Sequence, residues 1–262
     1  MNNHNPIGIF DSGVGGLSIW IKLIKLLNLE SFIYYADSAN CPYGTKPKDE
    51  IIDLSGKMTK FLIAKNCKLI VVACNTATAG AIDYLRKNYD VPFIGIEPAI
   101  KPAALNSKTK HIGVLATEGT FNGRLFNETK RKFTNGIDVK IQIGSGLVEL
   151  IENGKYNSKE ASDLLKKYLI PMLDNNVDQI VLGCTHYPFL LPLIKKIIKD
   201  KAEIIDPAEA VAKQTKKQLE LHNILASENN IPFYKFYTTG NISTIKKLID
   251  SISTVKIELN KV

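Results

Sequence analysis

The chain has 262 residues, 45% of them hydrophobic, and a formal net charge of +8 at pH 7, the profile of an ordinary globular protein with one large domain or two modest ones. No apolar run approaches the roughly 18–20 residues of a membrane span, and the polar start Met1-Asn-Asn-His-Asn-Pro6 lacks the pattern of a signal peptide, so no membrane is expected and the cytoplasm is the expected compartment. Nucleic acid is not expected either: the only arginines are Arg86, Arg124 and Arg131, and the lysines are spread along helical patterns such as Leu164-Leu-Lys-Lys-Tyr168 and Leu193-Ile-Lys-Lys-Ile197.

In chain order, strand-like runs alternate with helix-like ones, the signature of βαβ units and a mostly parallel sheet. Residues 7–10 form a short strand ending in Asp11-Ser-Gly-Val-Gly-Gly16, and residues 17–27 follow with apolar positions at helical spacing. A second strand over 32–36 ends at Asp37, and a polar loop over 38–48 leads into a helix over about 49–64. The third strand, 69–73, runs straight into Cys74; a helix over 77–88 and a fourth strand over 91–96 follow, ending in Glu97-Pro-Ala99.

The pattern then restarts. His111-Ile-Gly-Val-Leu115 resembles the opening strand, Ile180-Val-Leu-Gly183 matches the strand before Cys74 and delivers Cys184, and residues 202–205 end in Asp206-Pro-Ala208 as the fourth strand ended in Glu97-Pro-Ala99. The separations are 105 residues from Ile7 to Ile112, 110 from Cys74 to Cys184 and 109 from Glu97 to Asp206, which identifies an internal repeat. The expected fold is α/β, with two pseudo-symmetric domains of mostly parallel sheets flanked by helices and an active site in the cleft between them. Proline turns at Pro98 and Pro207 are natural crossover points, so the expected domains are residues 1–97 plus 208–262, carrying Cys74, and residues 98–207, carrying Cys184. The tail contributes a helix to about residue 225, a strand over 233–237 and a helix after Asn241, all packing back onto the first domain.

Ligands of open α/β sheets sit beyond the carboxyl ends of the strands, which is where Cys74 and Cys184 both fall. Cys41 and Cys67 read as structural, and the absence of close-spaced cysteine pairs argues for reduced thiols. One cleft cysteine suggests covalent catalysis; two, one from each symmetric half, suggest a proton removed from one face of a carbon and returned from the other. Asp11 and His186 are placed to take a thiol proton or steady a developing charge, although Asp11 also reads as a helix cap and His186 as a loop histidine. Asn75, Thr76, Thr117, Thr120 and Thr185 are short donors suited to carboxylates, or simply caps. Tyr43, in the turn Pro42-Tyr-Gly44, is placed to close the cleft. The glycine run 12–16 lacks dinucleotide spacing and a phosphate-binding lysine, no motif lysine suits pyridoxal phosphate, and Cys184 with His186 alone is too few ligands for zinc, so no cofactor and no metal are expected.

Asp11-Ser-Gly-Val-Gly-Gly16, Cys41-Pro-Tyr-Gly44, Ala73-Cys-Asn-Thr-Ala-Thr78 and Gly183-Cys-Thr-His-Tyr-Pro188 together resemble the glutamate racemases of the cofactor-independent aspartate/glutamate racemase group. The resemblance implies interconversion of L- and D-glutamate, supply of D-glutamate for peptidoglycan, two domains around a cleft, and a homodimer. It implies Cys74 and Cys184 as the acid/base thiols, assisted by Asp11, His186 and Glu152, with Ser12, Tyr43, Gly44, Asn75, Thr76, Thr117, Thr120 and Thr185 at substrate-binding positions and Asp37 at an acidic position near the site. Cys184-Thr-His is similar to the glutamate type rather than the aspartate type. Some members carry an N-terminal extension linked to activation by a cell-wall precursor; six residues precede the first strand here, so that control is not expected. An aspartate racemase, a hydrolase using Cys184 with His186, and a two-lobed solute-binding protein are the competing readings.

Overall fold

A computed structural model describes residues 3–262; the first two residues of the polar start lie outside the described residues. The first half runs β1 (Ile7–Asp11), α1 (Leu17–Leu26), β2 (Phe32–Ala36), α2 (Lys48–Ala64), β3 (Leu69–Val72), α3 (Asn75–Asn88) and β4 (Phe93–Ile94). The second runs α4 (Ile100–Asn106), β5 (His111–Ala116), α5 (Glu118–Phe121), α6 (Arg124–Phe133), β6 (Asp138–Ile143), α7 (Leu147–Glu152), α8 (Lys159–Asp174), β7 (Gln179–Gly183), α9 (Leu191–Ile198) and β8 (Glu203–Ile205). The chain closes with α10 (Ala208–Leu221), β9 (Tyr234–Thr238), α11 (Ile242–Ile252) and β10 (Glu258–Lys261).

Two parallel sheets result, in the orders β10-β9-β2-β1-β3-β4 and β6-β5-β7-β8. Without its two tail strands the first sheet has the same topological order as the second, so the repeat in sequence is a repeat in space. Strands β3 and β7 are buried along their whole length, as their apolar runs Leu69–Val72 and Ile180–Leu182 require of strands covered on both faces. In β6, Asp138, Lys140 and Gln142 alternate with Val139, Ile141 and Ile143, and charge on such an edge discourages pairing with another chain. That alternation hides the strand among polar residues, and the sequence reading assigned no strand there or in β10.

Among the boundaries that differ from expectation, three stand out. Helix α3 begins at Asn75 rather than residue 77, because Cys74 is its N-cap and its sulfur accepts the Ala77 N–H at 3.4 Å. Strand β4 keeps only two residues. Helix α10 stops at Leu221 instead of near residue 225, because Asn223 adopts a left-handed φ of 54°.

Helix α4 packs on β5, β7 and α6, whereas α10 packs on α1, and β9 pairs with β2 from Phe32↔Tyr234 onward. We propose on this basis that the two domains divide at residues 97/98 and 207/208. One apolar cluster nevertheless spans both halves, from Trp20 and Phe236 to Leu182 and Tyr187. Trp20 meets Phe236 edge-on at 5.0 Å, anchoring the returning tail to α1. Among the described residues no helix is long and apolar enough to cross a membrane.

Away from the carboxyl ends of the strands, Lys68 and Glu30 form a fully buried ion pair at 2.7 Å. Glu30 also accepts the Ala226 N–H at 2.8 Å, so the pair ties β2 and β3 to the returning tail. Glu30→Ala is expected to cost about 3–5 kcal/mol by stranding a buried ammonium, whereas Glu30→Leu with Lys68→Met should recover most of that loss; urea unfolding of the variants checks both.

Candidate active site

β1 and β3 are neighbours in register, so Asp11, the last residue of β1, and Cys74, just past the end of β3, are brought close together. The equivalent pair β5 and β7 does the same for Thr117 and Cys184. The two strand ends face each other across one cavity lined by Ser12, Pro42, Tyr43, Gly44, Cys74, Asn75, Thr76, Thr117, Val148, Cys184, Thr185 and His186. It is a narrow cavity, with a free volume of only about 10 Å³.

Glycine makes this closeness possible. A Cβ on Gly13 would collide with the Glu152 carboxylate, and one on Gly15 would collide with His186 and Thr185. The glycine run is therefore a flat surface against which the second half closes, and its amides serve carboxylates of the protein: Gly16 N–H donates to Asp11 Oδ2 at 2.8 Å and Val14 N–H to Glu152 Oε1 at 2.7 Å. A further bond across the same seam runs from the Ser18 hydroxyl to the Thr185 carbonyl at 2.9 Å.

The two cysteines have different electrostatic partners. The Cys74 thiol donates to Ser12 Oγ at 3.6 Å, and burial, reinforced by the Asp11 carboxyl, raises its pKa far above that of an ordinary thiol. Asp11 itself is pushed up to about 6, mainly by burial, which the charge on His186 and the Gly16 N–H only partly offset. On the other side, Cys184 Sγ lies 3.8 Å from His186 Nδ1, and His186 Nε2 lies 2.6 Å from Glu152 Oε1. Burial by itself would lower His186, but hydrogen bonds that the ring donates to Cys184, Cys41 and Glu152 overcome it and hold the imidazole well above its usual value. Burial would likewise raise Glu152; its bonds to His186 and Val14 keep it below the normal carboxylate range. An imidazolium thus stands beside Cys184 and a carboxyl beside Cys74.

The remaining sequence-derived residues fall around this centre. Asn75, Thr76 and Thr185 line the cavity, and Asn75 Oδ1 is buried with no hydrogen-bond partner among the described residues. Thr117 joins Thr76 at 2.8 Å and Thr120 at 3.0 Å, so Thr120 backs the cavity rather than lining it. Tyr43 is buried and donates to Asp37 Oδ2 at 2.7 Å; Asp37 also receives Asn40 and Thr239 and makes no capping bond, so it anchors the Tyr43 loop. The sequence reading missed Pro42 and Val148 as lining residues, although Pro42 lies in a motif it quoted. It also read Cys41 as structural, whereas the Cys41, Glu152 and His186 donor atoms lie within 4.8 Å of one another, the one such grouping of potential metal ligands among the described residues.

The sequence matches the Asp/Glu/hydantoin racemase family over residues 27–215. It is 43% identical to a glutamate racemase of Herpetosiphon aurantiacus over 93% of this chain and 96% of that one. In structure it is similar to the glutamate racemase isoform RacE1 of Bacillus anthracis, with a TM-score of 0.89, 32% identity, and 100% of this chain and 98% of that chain covered. It is also similar to the Francisella tularensis glutamate racemase in complex with D-glutamate, with a TM-score of 0.85, 31% identity, and 99% and 98% covered.

Because the folded value of Asp11 lies above its ordinary 3.8, the neutral form favours the fold, and that contribution is lost as pH rises from about 4 through about 6. Asp11→Asn removes the loss. Its stability relative to wild type should rise by up to about 3 kcal/mol between pH 4 and pH 7 in urea unfolding, and a pH-independent difference would contradict this assignment.

Proposed function

The chain belongs to the Asp/Glu/hydantoin racemase family and is an amino-acid isomerase, and from that premise we propose that it is a cofactor-independent glutamate racemase working through two thiols. The observation that carries the mechanism is the facing of Cys74 and Cys184 across one cavity, from topologically equivalent strand ends, with partners of opposite character. In one direction the Cys184 thiolate, its charge balanced by the His186 imidazolium, takes the Cα proton and becomes a neutral thiol, and the Cys74 thiol delivers its own proton to the opposite face of the carbanion and becomes a thiolate. One C–H bond breaks, one forms, and the configuration is inverted. In the other direction the roles exchange, with Asp11 beside Cys74 receiving or returning the thiol proton.

The substrate's carboxylates are held by the hydroxyls of Thr76, Thr117 and Thr185 and by the N-terminus of α3, whose first amides are free for an anion. The orphaned Asn75 Oδ1 is the acceptor available to the ammonium group. Ser12, Tyr43 and Gly44 close the cavity around it. Glutamate, rather than aspartate, is supported by the names of the similar proteins and by Cys184-Thr-His; supply of D-glutamate to peptidoglycan and a homodimeric state are taken from the same kinship.

Proton NMR of L-glutamate with the purified protein in D2O, with chelator and no added cofactor, should show loss of the Cα proton together with D-glutamate in a chiral assay. Exchange of L-aspartate alone would change the substrate, and an acyl-enzyme on Cys184 with dispensable Cys74 would replace the mechanism by a hydrolase's. Cys74→Ser and Cys184→Ser should each lower kcat by about 10²–10⁴-fold or more at unchanged urea midpoints.

The pH profile follows from the two partners. kcat/KM should fall as pH drops through about 6, where Asp11 takes up its proton, and Asp11→Asn should abolish that limb. Glu152→Gln removes a carboxylate that stabilises the imidazolium, so His186 loses its proton more readily and the alkaline limb should move to lower pH; an unmoved limb would exclude His186 from the reaction.

A further inference from the structure

Racemisation leaves the Cys41 thiol without a task, yet three chain segments converge on it. Cys41 comes from the loop after β2, Glu152 from the end of α7 and His186 from the loop after β7, and their donor atoms lie within 4.8 Å of one another. A second cavity, of about 260 Å³, adjoins the trio away from the paired catalytic thiols; Ser38, Cys41 and Glu152 line it together with Gly240 and Thr244 of the returning tail. Cys41 is a free thiol.

We propose that Cys41, Glu152 and His186 form an inhibitory binding site for a thiophilic divalent cation of the zinc class. A thiolate, an imidazole and a carboxylate make a three-ligand set that zinc accepts in tetrahedral geometry, with the fourth position open to the adjoining cavity for water; magnesium and calcium, which prefer all-oxygen shells, are poor fits. Two anionic ligands also neutralise the charge of a divalent ion buried there. Ligands sharing a zinc stand roughly 3–3.5 Å apart, as bonds of about 2.0–2.3 Å require, so Glu152 needs to retreat by less than about 1 Å from its 2.6 Å bond to His186 Nε2. Binding releases the Cys41 thiol proton and the Nε2 proton to solvent.

The consequence for turnover rests on the racemase reading; the site itself does not. With metal on Nε2, the imidazole keeps only its Nδ1 proton toward Cys184, and the Glu152 carboxylate is drawn from its role between His186 and Val14. The catalytic thiols remain in place, but the charge that assists Cys184 is fixed in the metal complex.

Cobalt(II) titration of the full chain without substrate tests the site independently of activity. It should give a thiolate-to-cobalt charge-transfer band with one equivalent, retained in Cys74→Ser and Cys184→Ser and absent in Cys41→Ser, with Cys41→Ala as a second variant. Racemisation should be inhibited by free zinc set by a metal buffer and restored by chelator, and Cys41→Ser, normalised to its own metal-free turnover, should need at least about 10–100-fold more zinc. A band that survives in both Cys41 variants but vanishes in Cys74→Ser or Cys184→Ser would place the metal on the catalytic thiols, and no band in wild type would remove the site; either result overturns the proposal. A cobalt band lost with Cys41 in a protein that does not racemise glutamate would overturn the enzymatic reading alone.

Discussion

The Glu152 carboxylate is the contact on which the rest of the site depends. One of its oxygens accepts the Val14 N–H from the loop after β1 and faces His186 Nε2 from the loop after β7, so it joins the two halves of the molecule and sets the charge of the histidine at once. A buried carboxylate is tolerated only with such partners, and a buried imidazolium only with such a counter-charge. The contact that holds the two halves together is therefore also the one that sets the charge of the histidine.

The fold is symmetric where position matters and asymmetric where charge matters. Equivalent strand pairs put Cys74 and Cys184 at matching strand ends, but the first is followed by a regular helix whose Ala77 N–H meets the sulfur, and the second by His186 and a 3-10 turn. The proposed two-thiol exchange calls for such a difference, since one thiol has to hold a proton while the other accepts one. Burial beside Asp11 raises the pKa of the first, and the imidazolium lies beside the second.

The positive net charge plays little part in this chemistry. The lysines pair with acids one helical turn away, as in Lys57 with Asp53, Lys213 with Glu209 and Lys246 with Asp250, on exposed faces where such pairs contribute little energy. The cavity is lined by hydroxyls and an amide instead. In the proposed reaction such neutral donors bind carboxylates without placing a lysine or arginine where it would trap the carbanion or hold the thiols permanently ionised.

Local pattern determined much of this protein. Unbroken apolar runs ending in Cys74 and Cys184, and their repetition about 110 residues apart, specify buried parallel strands in two similar halves, because periodicity and burial are properties of short segments. Four motifs carried the family resemblance and all of the residues that surround one cavity except Thr117 and Val148. Tertiary structure decided what depends on distance between remote segments. Glu152 reaches His186 and Val14 only because α7 meets the loop after β1; Cys41 acquires its neighbours only because three segments converge; and Asp37 is a tether for Tyr43 rather than a cap. The exposed edge strand β6 and the start of α3 at Asn75 likewise escaped the sequence, since pairing and capping override the hydrophobic pattern there. Sequence thus determined which groups the protein has at its strand ends, and only the packed chain decided their charges, because those depend on burial and on partners far away along the chain.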